Sequence, residues 1–115
     1  MQEIELQEFE YLVSEAIDTL SFEMLSELDN VIFVVEDRPE DGSDILGLYD
    51  GFSLAERSRY GYGEEPDRIV LFREPLLKIC QTHDDLTREI RATLIHEIAH
   101  FYGLSEERIH ELGWG

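Results

Sequence analysis

Leu6, Phe9, Val13, Ala16, Ile17 and Leu20 recur three or four residues apart near the start of the chain, with glutamates filling the positions between. That spacing predicts an amphipathic helix over residues 3–20 whose apolar stripe faces a core. Ser21 is placed to cap a second, shorter helix over Phe22–Leu28, which Asp29-Asn30 breaks. The period then changes. Val31-Ile32-Phe33-Val34-Val35 is short, β-branched and apolar at every position, so it predicts a strand covered by helices on both faces. Ile45–Tyr49 predicts a second strand ending at Asp50-Gly51, and Arg68–Phe72 a third, stopped by Glu74-Pro75. Asp37–Ser43, charged and carrying Pro39 and Gly42, reads as a loop. Ser53–Asp67, with Gly61, Gly63 and Pro66, reads as a long one. Leu76–Gln81 predicts a short helical turn.

The last third returns to helical spacing. Leu86, Ile90, Leu94, Ile95, Ile98 and Phe101 form a core-facing stripe on a helix that starts near Thr82–Asp85, with Asp84 as the expected N-cap. Gly103 is placed to end it in the left-handed conformation. Ser105 then caps a final helix over Glu106–Leu112. His96, Glu97 and His100 share a second face of the long helix.

Those three residues carry the chemistry. His96-Glu97-Ile98-Ala99-His100 reads H-E-x-x-H. Histidines four apart on a helix lie one turn apart on one face, so both imidazoles can reach a single Zn²⁺ at about 2.0–2.1 Å. The glutamate between them is placed to act as general base on a water that the metal activates. The pattern extends through Gly103 to Glu106, giving the spacing H-E-x-x-H-x-x-G-x-x-E. A carboxylate is an acceptable zinc ligand, and His₂Glu is a known catalytic set. Glu106 is therefore the expected third ligand, with Glu107, His110 and Glu111 as the alternatives. The helix stop at Gly103 turns the chain back so that Glu106 approaches the histidines. Peptide hydrolysis also needs a group to stabilise an oxyanion. Tyr60, Tyr62, Tyr102, Arg57 and Arg59 are candidates among which the sequence does not choose. His83 reads as capping or solvating the helix start, Cys80 as core packing and Trp114 as packing.

Composition narrows the classes. The chain has 115 residues, which predicts one domain spanning 1–115. Nine Lys and Arg against 27 Asp and Glu give a net charge of −18. Such a surface repels nucleic acid and anionic membranes. No apolar run approaches 18 residues, so no membrane span is expected. The acidic N-terminus lacks the basic and apolar regions of a signal peptide, and the lone Cys80 rules out an intrachain disulfide. A reducing, cytoplasmic setting fits these features. There is no phosphate-binding Gly-rich loop, no serine nucleophile elbow and no C-x-x-C.

At the His96–Glu106 motif the chain resembles the zincins. More closely, it is similar to the small bacterial minimal-zincin family of predicted metallopeptidases, which carry H-E-x-x-H-x-x-G-x-x-D near the C-terminus. The likeness extends to Leu28-Asp29-Asn30-Val31, to Leu46-Gly47-Leu48-Tyr49 and to the closing His96–Glu111 segment. The family's aspartate falls on Glu106, one methylene longer. No methionine follows the motif, so the Met-turn of the metzincins is absent. The resemblance implies an α+β, minimal zincin-like fold. A three- to four-stranded sheet would pack against the H-E-x-x-H helix and the N-terminal helix. It also implies one Zn²⁺ per chain, His96 and His100 as ligands, and Glu97 as catalytic base.

Two readings follow. In the first, the protein is a zinc-dependent metallopeptidase acting on peptides or unfolded protein, in which an edge strand, Ile45–Tyr49 or Arg68–Phe72, aligns the substrate by backbone pairing. In the second it is a zincin-like metal-binding module, with structural zinc or with activity that requires a partner. An intact Glu97 favours the first, and the absence of a C-terminal subdomain to wall a specificity pocket favours the second.

Overall fold

Side-chain caps set the starts of three of the five described helices. The computed structural model describes residues 3–51 and 66–114. In chain order the elements are α1 (Leu6–Asp18), α2 (Phe22–Leu25), β1 (Val31–Glu36), β2 (Gly47–Asp50), β3 (Asp67–Phe72), α3 (Arg73–Ile79), α4 (His83–Tyr102) and α5 (Glu106–Glu111). Ser21 caps α2 by accepting the Met24 N–H, and Ser105 caps α5 by accepting the Arg108 N–H. Asn30 takes a positive φ of 55° at the entry to β1, a conformation that asparagine tolerates better than most residues.

Several details differ from expectation. The N-cap of α4 is Thr82, not Asp84. Thr82 accepts the Asp85 N–H while Asp85 reaches back to the Thr82 N–H, a reciprocal capping box that satisfies two orphan donors at once. Helix α3 starts directly at Arg73 rather than at Leu76, and Pro75 does not stop it. In a first turn the missing proline N–H would have had no intrahelical partner anyway. Leu6, expected in the core, is 42% exposed; Ile4, just before α1, is buried instead. The Ile4 carbonyl accepts a 2.8 Å hydrogen bond from Arg73 Nη1, which draws that end of the chain inward. Arg73 is itself buried, and burial of a charge demands partners. The Asp37 carboxylate accepts from its Nε at 2.9 Å and raises its pKa, keeping it charged.

Among the described residues the sheet has three strands in the order β1-β3-β2. β1 runs parallel to β3 and β2 antiparallel to it. Together with the helices this is an α+β fold. β3 is central, and Ile69, Val70, Leu71 and Phe72 are all nearly inaccessible. Alternation sends Phe33, Tyr49, Ile69 and Leu71 into the core with α1 and α4. The expectation that β1 is covered on both faces does not hold. Ile32 is 45% exposed, and Leu48 on β2 is 42% exposed. The helices cover one side of the sheet; on the other, Leu48, Val70 and Phe72 line a cleft of about 370 Å³ with Pro39 and Ile45. Pairing also shifts the second strand to Gly47–Asp50, leaving Ile45 before it. The central position of β3 excludes Arg68–Phe72 as a substrate-aligning edge, whereas β2 lies at an edge among the described residues. No described helix is long and apolar enough to cross a membrane.

Candidate functional site

Helix α4 is the scaffold. Leu86, Ile90, Leu94, Ile98 and Phe101 are fully buried along one side, with Ile95 beside them, as the spacing predicts. Rotating from that side brings up His96, Glu97 and His100. The His96 and His100 rings stand edge to face, 5.6 Å apart between centroids. Their side chains are about half exposed, at 46% and 50%, while that of Glu97 is only 9% exposed. One turn of helix thus presents two wet imidazoles and, between them, a nearly dry carboxyl.

Strand β2 is what dries it. A Cβ on Gly47 would lie 2.7 Å from Thr93 Cγ2, 3.1 Å from the Val70 carbonyl oxygen and 3.3 Å from Glu97 Cγ. Only glycine lets β2 approach α4 this closely. Two residues on, the Tyr49 N–H donates to the Glu97 carboxylate. The Tyr49 ring packs edge-on against Phe101, and its hydroxyl donates to Asp67 at 2.5 Å. Burial pushes the Glu97 carboxyl above the ordinary glutamate range, against the opposing pull of His100, of His96 and of the Tyr49 N–H. A carboxyl raised above its ordinary range is better suited to taking and giving a proton than a fully solvated one. Gly47 and Tyr49 were not singled out as site residues from the sequence. The only signal was their place in the Leu46-Gly47-Leu48-Tyr49 run, and nothing local says which helix that run faces.

The C-terminal end of α4 delivers the remaining acid. Gly103 adopts φ 71°, the left-handed conformation expected of it. The Leu104 N–H donates to the Ala99 carbonyl and the Gly103 N–H to that of His100, the paired bonds of a Schellman stop. Space is not the reason for glycine here, since a Cβ would meet nothing within 4 Å; the backbone angle is. The reversal places Glu106 at the first position of α5, with its Oε1 2.6 Å from His96 Nε2. Of the alternatives, Glu111 is engaged with Arg108 at 3.1 Å, while Glu107 and His110 are exposed.

These groups meet in two pairs. His96 is joined to Glu106, and His100 Nδ1 shares a 3.0 Å hydrogen bond with Glu97 Oε1. Among the described residues no three His, Cys, Asp or Glu side chains converge into a group that could hold a metal ion. The donor chemistry nevertheless fits zinc: two imidazoles on one helical face, with a carboxylate already against one of them. Among the oxyanion candidates, Tyr60, Tyr62, Arg57 and Arg59 lie outside the described residues. Tyr102 faces away to α2, its hydroxyl donating to the Met24 carbonyl at 2.9 Å. Trp114 packs edge-on against the Tyr102 ring. Cys80 is buried, and desolvation, reinforced by Glu89 and Asp85, raises its thiol pKa away from reactivity. His83 is exposed at the first position of α4.

A family model described as zincin-like metallopeptidase matches residues 28–114. No curated protein matches the chain. The matched span includes all three strands, the whole of α4 and Glu106, and leaves out α1 and α2.

Proposed function

The chain belongs to the zincin-like metallopeptidase family, and from that premise we propose that it hydrolyses peptide bonds with one zinc ion held by His96, His100 and Glu106. The observation that carries this reading is Glu97: a largely buried carboxyl between two half-exposed imidazoles, hydrogen-bonded to the Tyr49 N–H and to His100. Burying an ionisable group that serves only to solvate a surface would be costly, and a structural metal site has no need of it. When bound, zinc supplies Lewis-acid polarisation and lowers the pKa of water. Glu97 takes the proton of the attacking water and returns it to the leaving amine, a task matched by a pKa above the ordinary carboxylate range. The Tyr49 N–H and the close approach at Gly47 fix the carboxyl while it does so. The substrate is a peptide or an unfolded chain, met in a reducing, cytoplasmic compartment. The strong negative charge argues against nucleic acid as ligand.

A second reading is favoured by the two-pair arrangement. In it the protein is a zincin-like metal-binding module, with structural zinc or with activity that requires a partner. One experiment separates the two. Zinc content and cleavage of a peptide library are measured for the wild type and for Glu97→Gln. The enzyme reading expects about one zinc per chain in both, with cleavage in the wild type reduced about 10²–10⁴-fold in the variant. Zinc in both with cleavage in neither leaves the module.

A further inference from the structure

A second cleft, of about 420 Å³, opens directly onto His96 and Glu97. One wall is the Asp44–Gly47 run leading into β2; the other is the α4 surface from Glu89 to Glu97. Its middle is apolar, made by Ile45, Leu46 and Ala92 with the Thr93 side chain. Among the described residues, its charged groups away from Glu97 are both acids. Glu89 lies two turns before His96, roughly 10 Å along the helix axis. Asp44 lies three residues before Gly47, up to roughly 10 Å along an extended chain. Among the described residues, no lysine or arginine lines this cleft. Lys78 approaches Asp44 only at 3.7 Å, with both side chains more than 70% exposed, so the pair is weak and readily exchanged. The cleft on the outer face of the sheet differs on both counts. Its Arg68 is paired with Glu36 at 2.6 Å, and it does not include His96 or Glu97.

The geometry points to a substrate that carries a lysine or arginine next to the scissile bond, with Asp44 and Glu89 as specificity-determining residues. This rests on the proposed peptidase site, because it places the scissile bond at Glu97. A long cationic side chain suits the cleft in both of its parts. Its methylenes lie along Ile45 and Ala92, and its head, on the order of 6 Å from its Cα, approaches the two carboxylates. A leucine side chain would fill the apolar middle and leave the acids unmatched. A glutamate would meet like charge.

The test is a set of three fluorescent peptides identical except for Lys, Leu or Glu at one position. They are titrated by anisotropy at physiological salt against zinc-loaded full-length chain carrying Glu97→Gln, so that the peptides survive. The lysine peptide is expected to bind roughly tenfold more tightly than the leucine peptide, from two partly exposed ion pairs. Adding Asp44→Asn and Glu89→Gln brings the two within about twofold. Asp44→Asn alone, at an exposed position, costs about threefold. A control chain carrying Glu8→Gln and Glu15→Gln, exposed acids on α1, keeps the full preference. Equal binding of all three peptides, or an equal loss of preference in the α1 control, overturns the assignment; the second result would trace the preference to general attraction by the net charge. If the binding preference holds while the wild type cleaves none of the peptides, the peptidase reading fails and the cleft stands as a cationic-side-chain site.

Discussion

The two faces of α4 are built on opposite principles. On one, Leu86, Ile90, Leu94 and Ile98 are completely buried, and their positions are fixed by packing. On the other, His96 and His100 are half exposed, and their positions depend on which acid each one meets. Glu97 sits at the boundary, buried like the first face and ionisable like the second. The contrast suggests a division of labour. The packed face anchors the helix, and in the proposed zinc site the exposed face would exchange its internal pairs for the metal on that fixed backbone. A site built on such an element is held more closely than one built on a loop.

The sharpest way to break this division is at the packed face. Leu94→Ala, at a position with no exposure, should cost about 2–5 kcal/mol of unfolding free energy. Chemical denaturation measures it, and zinc bound per folded chain should not change; a loss of zinc affinity in the folded variant would mean the two faces are coupled. At the other face, Glu106→Ala should weaken zinc about 100-fold or more, since even partners behind the ligands are worth 10–100-fold. Its side chain is 75% exposed, so the melting temperature of the metal-free protein should barely move. Full zinc affinity in a competition titration would remove Glu106 from the ligand set. Gly47→Ala tests the boundary. The added methyl meets Thr93 and the Val70 carbonyl, so overpacking should cost about 1–3 kcal/mol. Unlike Leu94→Ala, it should also lower peptide cleavage in the folded fraction, because it displaces the strand that hydrogen-bonds Glu97. The smallest effects belong to the helix start, which serves neither face. Thr82→Ala should cost about 1 kcal/mol with activity intact. In the same capping box, the Gln81 N–H, with Arg88 and the Thr82 N–H, holds Asp85 below its ordinary pKa of 3.8. Its contribution is therefore complete above that range and lost as pH falls through the lowered value. The gap in melting temperature between wild type and Asp85→Asn should close in acid.

The packed face was legible in the sequence because a 3.6-residue period is a local property. Its six apolar positions could be read without knowing their neighbours, and all six are buried. The helix stop was legible for a similar reason, since Gly103 and Ser105 act within one turn of themselves. Helix starts were read less well. Thr82, Asp84 and Asp85 are all competent caps, and only backbone geometry decides among them. The strands were found, but not their cover. Val31–Val35 is as apolar as a fully buried strand, yet it lies at the edge of the described sheet with Ile32 open to solvent.

At the candidate site the same line divides what was legible from what was not. His96, Glu97 and His100 are brought together by helical periodicity alone, and the left-handed turn at Gly103 directs Glu106 toward them over ten residues of chain. These are short-range consequences of φ and ψ, so the sequence determined them. That β2 would lie against Glu97, with Gly47 giving it room and Tyr49 a hydrogen bond, depends on residues about fifty positions away. Tertiary structure alone decided that contact, and with it the burial that sets the Glu97 pKa, because desolvation depends on which segments of chain exclude water from the carboxyl.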